Sequence, residues 1–216
     1  MLVGHHNISL SEDQNTKKYY DLELFKMLLQ PHFLFNSLNN LYALSIKQSD
    51  RTTDAIAGLS ELLEKVVYYS QLEKISLSKE VELIRDYINL EKIWLGETNF
   101  KLDIQISGDL DSIEIPPLVL YTFIENCFKH GIRKCSGDGW VTIHIEVRKN
   151  SLFFNTRNLV PEWDEDLAIS DYEGLGVNAA KEVLEHKCSG NYILKTGTAK
   201  KIHSVDLMIK PDKKVA

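Results

Sequence analysis

Between residues 17 and 49 the chain has no glycine and a single proline, Pro31. A run that long without the most flexible residue type favours helix along nearly all of it. Leu34, Leu38, Leu41 and Ser45 follow a 4-3-4 spacing, the period of one helix face. Pro31 lacks a backbone donor and crowds the preceding turn, so it kinks that helix or begins a new one. The polar run Ser49-Asp50-Arg51-Thr52-Thr53 forms a bend. A second helix is expected over 54–73, with Ile56, Leu59, Leu63, Val66 and Val67 on one side. Two amphipathic helices with a short link make an antiparallel hairpin. One hairpin cannot cover both of its apolar faces, so two copies should pair as a four-helix bundle in a homodimer.

Beyond residue 75 the periodicity changes. Leu83, Tyr87, Leu90 and Trp94 keep helical spacing over 78–95, with Ser78 as the cap. Phe100, Leu102, Ile104 and Ile106 alternate with polar residues as in a half-buried strand, which Gly108 ends. Pro116-Pro117 is expected to open a helix running to 132, since proline suits a first helical turn. Val141, Ile143, Ile145 and Val147 alternate again, and a strand over 152–158 follows the Lys149-Asn150 turn. An acidic, irregular stretch leads to a helix over 177–186 and strands over 191–196 and 202–210. The fold class expected is α+β: a helical hairpin, then an α/β sandwich with a mixed sheet covered by helices on one face. The expected divisions are a mobile lead-in at 1–16, the hairpin at 17–74 and the sandwich at 75–216, with a flexible joint near Ile75.

Composition narrows the function. Twenty-five Lys and Arg against 31 Asp and Glu leave a net charge of −6. No global basic field would draw a nucleic-acid backbone or an anionic membrane. The most apolar stretch, 113–124, is interrupted by Glu114, Pro116 and Pro117 and is far short of a membrane span. The lead-in lacks the regions of a signal peptide. Any membrane contact is therefore expected only through a sensor region outside this sequence. Cys127, Cys135 and Cys188 form no CxxC pair, which fits a reduced, cytoplasmic protein and argues against structural zinc.

Two segments carry chemistry. In Gln30-Pro31-His32-Phe33-Leu34-Phe35-Asn36-Ser37-Leu38-Asn39-Asn40-Leu41, helical spacing puts His32, Asn36 and Asn39 on one face. A neutral imidazole displayed there has a free nitrogen and could act as a nucleophile; equally, it could be satisfied by local hydrogen bonds beside the proline. In the segment 116–131, Glu125, Asn126, Lys129 and His130 sit near the end of a helix. An asparagine oxygen can ligate Mg²⁺, which prefers hard oxygen ligands and bridges phosphates. The alternative is a polar last turn whose Lys129 and His130 complement the helix dipole. A third, weaker signal is Glu173-Gly174-Leu175-Gly176-Val177, where two glycines before a helix would let backbone approach phosphate.

Taken together, PHFLFN and PPLxLxxxIENxxKHGI resemble the phosphoacceptor box and the N box of LytS-type sensor histidine kinases. The intervening LSELLEKVVYYS…ISLSKEVELIRDYINLEKIWLGE is similar to that family's linking region, and the resemblance spans 24–184. It implies a Bergerat-type ATP-binding fold, ATP and Mg²⁺ as ligands, His32 as phosphoacceptor and Asn126 as the Mg²⁺ ligand. Asn36 shares the acceptor box. Lys129 and His130 would approach the phosphates, as would Gly174 and Gly176, with 158–171 as the lid over the nucleotide. Glu125 matches a residue of the motif; adjacent helical residues point about 100° apart, so it would orient a group near Asn126 more readily than take a proton.

The sequence departs from the family at three places. Arg157-Asn158-Leu159 replaces an Asp-Asn-Gly-type box, leaving Asn158 to accept from the adenine amino group through its amide oxygen. Ala179 and Val183 stand where relatives carry Asn and Arg, with Asn178 or Lys181 as candidate substitutes. The helix alignment favours Val183 facing the lid, against a competing reading in which it is core and packs with Val177 or Leu184. The activity implied is autophosphorylation of His32 by ATP and transfer to an aspartate of a response regulator. The rival is a pseudokinase, a dimeric scaffold with a decayed pocket.

Overall fold

The computed structural model describes residues 31–96, 100–135, 137, 139–160 and 175–210. The lead-in at 1–16, the first half of the expected leading helix and most of the expected lid lie outside these residues.

Helix α1, Pro31–Ile46, and helix α2, Thr52–Ser70, form the hairpin. The bend between them is held locally: Thr52 Oγ1 donates to the Ser49 carbonyl at 2.7 Å, and Gln48 takes a left-handed φ of 50°. The inward faces are not those the spacing indicated. In α1, Phe33, Leu41 and Leu44 pack on the core around a fully buried Ser37, whose hydroxyl donates to the Phe33 carbonyl at 2.8 Å. Leu38, expected on the packed face, is 58% exposed. In α2 the buried set is Ala55, Leu59, Leu62, Val66 and Tyr69, while Ile56 and Val67 face out. Each helix carries two apolar stripes, and periodicity alone does not say which one the neighbouring helix will cover.

A two-residue strand β1, Ile75–Ser76, leads directly into helix α3, Leu77–Leu95. β1 pairs antiparallel with β3, Glu114–Ile115, matching Ile75 with Ile115. Ile75 is 2% exposed, and Lys65 of α2 bridges Glu82 and Asp86 of α3 at 2.5 and 2.7 Å. The flexible joint expected near Ile75 is thus a paired, buried segment, and the buried side chains of α2 continue into the core under α3.

The main sheet is built from β2, Phe100–Ser107; β4, Gly139–Arg148; β5, Ser151–Leu159; β6, Tyr192–Ala199; and β7, Ile202–Ile209. Their order is β2-β4-β5-β7-β6, with β2 parallel to β4 and the other pairs antiparallel. Lys149 and Asn150, with φ of 51° and 56°, close the β4–β5 hairpin; Lys200 and Lys201, at 51° and 63°, close β6–β7. Such paired left-handed residues match the twist of the flanking strands. Gly108 ends β2 where a Cβ would lie 2.3 Å from the Val147 carbonyl, so no other residue fits that approach. Helix α4, Val119–His130, and helix α5, Leu175–Lys187, pack against one another over the sheet, and α3 packs against α4. One sheet face, through Val141, Ile143, Ile145, Leu152, Phe154, Val205 and Leu207, is buried under this helical layer. Each such side chain contributes roughly 1.5–3 kcal/mol by leaving water. The other face carries polar residues, including His144 and the Asn155–Asp206 hydrogen bond of 2.6 Å. The expected mixed α/β sandwich is present.

Candidate functional site

Helix α4 is the element on which the site is built, and its start differs from expectation. Pro116 and Pro117 precede the helix instead of opening it, because Leu118 takes a left-handed φ of 68° as the residue before the first turn. The exposed amides are taken by a carboxylate from another element. Glu80, fully buried in the first turn of α3, accepts from Leu118 N at 2.8 Å and Tyr121 N at 3.0 Å. Burial pushes its carboxyl up to about 7, against the pull of the helix amides. Sequence reading missed Glu80, since an acid in a first helical turn looks like an ordinary dipole partner.

The other end of α4 brings the predicted residues together. Asn126 is 7% exposed, while Glu125, Lys129 and His130 are half-buried on the last turns. Burial raises the Glu125 carboxyl above its usual range; Lys129 and Arg133 pull it back and Glu91 adds to the rise. Gly131 then closes onto the end of β5. A Cβ there would stand 2.4 Å from the Cys127 carbonyl and 2.6 Å from Asn158 Nδ2, so the lack of a side chain permits the approach. Asn158 is 1% exposed at a central strand, between Val141 of β4 and His203 of β7. Its Nδ2 donates to the Leu159 carbonyl at 3.2 Å, which leaves Oδ1 as a buried acceptor with no partner. An orphaned acceptor of that kind costs about 1–3 kcal/mol unless a ligand's N–H reaches it.

The α5 side of the site is less as expected. Gly174 lies outside the described residues. Gly176 is buried inside the first turn of α5, which begins at Leu175 and so replaces the expected loop. Lys181 is half-buried on the same helix. Ala179 and Val183 are 6% and 0% exposed within the core cluster. The expectation that Val183 faces the lid is therefore wrong: its side chain packs in the core, where a guanidinium has no route to solvent.

His32 stands in the first turn of α1, and Asn36, one turn on, is half-buried. Helix α1 meets the sandwich at α3, where the Phe33 ring lies 6.3 Å from that of Trp94. Sequence reading also missed Glu91, fully buried in α3, which holds Arg133 through contacts of 2.5 and 3.1 Å. Arg133 follows α4 in a short 3-10 turn, Ile132–Lys134. Glu91 and Arg133 are 42 residues apart, so no local pattern announces the pair.

The residues present fit a magnesium nucleotide. Among the described residues no three His, Cys, Asp or Glu side chains converge as a metal cage. Mg²⁺ does not need one, because it is commonly held by one or two protein oxygens and completes its shell with phosphate and water. Asn126 offers one such oxygen, and Asn158 Oδ1 offers a buried acceptor for an amino group. Bound there, Mg²⁺ would neutralise phosphate charge.

Comparison with known proteins shows what this chain is similar to. The histidine kinase family matches residues 20–99. YwpD of Bacillus subtilis (strain 168) is 24% identical over 94% of this chain and 74% of its own length. The sensor protein LytS of the same organism is 30% identical over 66% of this chain and 24% of its own length. Among solved structures, the histidine kinase domain of the blue-light activated histidine kinase EL346 from Erythrobacter litoralis aligns with 89% of this chain and 95% of its own, at 12% identity and a TM-score of 0.49. The chain spans 22–30% of the length of the sensor kinases it matches. Over its hairpin and first sandwich helix the chain matches the histidine kinase family, and over longer stretches it is similar to LytS-type sensor proteins.

Proposed function

We propose that this chain is a protein-histidine kinase core that uses ATP to phosphorylate His32 and passes the phosphoryl group to an aspartate of a response-regulator receiver domain. The observation that carries the reading is the buried, partnerless Oδ1 of Asn158 beside the end of α4 that bears Asn126. It supports binding of an adenine amino group there, with Asn126 holding Mg²⁺ and Lys129, His130, Gly174, Gly176 and Lys181 near the phosphates. An imidazole nitrogen of His32 would attack the terminal phosphorus, forming an N–P bond as the bond to the ADP oxygen breaks. Phosphoryl transfer asks the protein mainly for positioning and charge neutralisation, so a separate strong base is not required. Asn36 and Glu125 are then orienting groups on either side.

The working unit is a homodimer. Phe35, Leu38, Tyr42 and Ile46 form one stripe on α1, each more than half exposed. Ile56 and Val67 are the exposed apolar residues facing out on α2, and pairing of two hairpins would cover them together with the α1 stripe. Among the described residues no helix is long and apolar enough to cross a membrane. The three cysteines are free thiols, which fits work on the cytoplasmic side.

The test is incubation with γ-labelled ATP and Mg²⁺. Label should be incorporated, survive base and be lost in acid, as a phosphoramidate requires. His32→Gln should remain folded and take none. A folded wild-type protein that binds no ATP and takes no label would establish the scaffold reading instead.

A further inference from the structure

We infer that Trp94 and Arg133 are positioning residues that fix the acceptor helix against the nucleotide-binding helix; this rests on the kinase reading above. Phe33, immediately after His32, lies against the ring of Trp94 with centroids 6.3 Å apart and planes tilted by 55°. A second partner of that ring is Arg133, whose Cζ lies 5.5 Å from its centroid. Arg133 is in turn fixed by Glu91 through two contacts, Nη2 to Oε1 at 2.5 Å and Nε to Oε2 at 3.1 Å. Glu91 is fully buried one turn before Trp94, and Arg133 lies two residues beyond the Gly131 that seats α4 on Asn158. A single indole thus links α1 to the end of α4 through one cation.

The chemistry of the parts argues for more than filler. Glu91 and Arg133 form a forked, two-point contact, which fixes the guanidinium plane in a way an ammonium would not. A plane so fixed can present its face to an aromatic ring, and indole is the best of the aromatic partners for a cation. The Trp94 Nε1 is buried without a hydrogen-bond partner. A residue retained only to fill space would be better as Phe, which has no donor to bury. In the kinase reading the acceptor must be held against the terminal phosphate, and misplacement by about an ångström costs about a hundredfold in rate.

The experiment measures autophosphorylation at saturating Mg·ATP and, separately, the ATP dissociation constant. Trp94→Leu keeps an apolar, though smaller, side chain and removes the ring face. It should lower the maximal rate about tenfold or more with ATP affinity within about twofold, and Trp94→Tyr should restore most of the rate. Arg133→Lys keeps the charge but loses the fork and should behave like Trp94→Leu. Phe33→Leu tests the same joint from the half-buried side should Trp94→Leu not fold. Phe33 and Arg133 both act on the Trp94 ring in this proposal, so the Phe33→Leu/Arg133→Lys double variant should be about as slow as the slower single one. Multiplicative losses in that double variant, or losses of ATP affinity that account for the rate, would overturn the inference. Wild-type protein that takes no label would instead overturn the kinase reading itself.

Discussion

Helices α1 and α4 are both strongly apolar, yet their side chains meet opposite fates. In α4, nine of twelve residues are buried, including Asn126. In α1, Phe35, Leu38, Tyr42 and Ile46 stand 58–68% exposed. The difference lies in how many elements surround each helix. Helix α4 is packed by the sheet, α3 and α5, whereas α1 has α2 and the rim of the sandwich. A helix enclosed on every side is tuned for placing a buried polar group; one enclosed on a single side keeps a face for a partner. On the proposed reading nucleotide binding falls to the enclosed helix, while the open helix carries both His32 and the face for pairing.

Substitutions on the enclosed side should show the largest effects. Val183→Arg puts a charge into the core beside α4, and loss of stability of about 3–5 kcal/mol is expected, with no gain in ATP affinity. Urea unfolding alongside ATP titration checks this; a stable variant with tighter ATP binding would return Val183 to the lid. Gly131→Ala comes next, because its Cβ meets a carbonyl at 2.4 Å and an amide at 2.6 Å. A cost of about 2–3 kcal/mol is expected, together with weakened ATP binding as Asn158 is displaced. An Ala variant with an unchanged melt would show that the α4–β5 approach is looser than described.

Glu80 gives a pH dependence of intermediate size. Its carboxyl is raised in the folded chain from the ordinary 4.5 to about 7. The folded state therefore holds that proton more tightly than the unfolded state does. Its contribution to stability is fully present below about pH 4.5 and is lost as pH rises towards 7, by on the order of 2–3 kcal/mol. Denaturant melts between pH 4.5 and 7.5 should show this decline, and Glu80→Gln should flatten it. An identical slope in the variant would assign the pH dependence to other groups.

The smallest effect on folding belongs to the open side. Leu38→Glu alters an exposed position and should change monomer stability by no more than about 0.5 kcal/mol. It should nevertheless dissociate the dimer, since it plants a charge in the middle of the exposed stripe. Sedimentation at micromolar concentration reads this directly. A variant that remains dimeric, or a wild-type protein that is monomeric, would mean that the α1 stripe has another occupant.

Much of the fold was legible because its signals are local. The alternation at 100–106 and 141–147 depends only on side-chain period, and both strands formed within two residues of their expected bounds. The places of Asn126 and Asn158 in the fold were also legible, since each lies at a chain position marked by its neighbours: the end of a patterned helix and the end of a patterned strand. Errors arose where a choice between equivalent local solutions was made by distant residues. Two stripes compete on α1, and the core selected Phe33, Leu41 and Leu44 over the Leu34–Leu38 side. The Pro116-Pro117 pair fits a first helical turn, but the left-handed Leu118 and the Glu80 cap moved the start to Val119.

The sequence by itself determined the order of helices and strands, the two-part organisation of an apolar hairpin and a sandwich, and the residue types available for chemistry. Those depend on backbone preference and on period, which act over a few residues. Only the tertiary structure decided that Ile75 is a paired strand, that Val183 is core, and that Glu91, Arg133 and Trp94 share one joint. The strand pairing and the joint depend on groups roughly 40 residues apart, and Val183 on the core that closes over it; the free energy of such contacts exists only once both sides are in place.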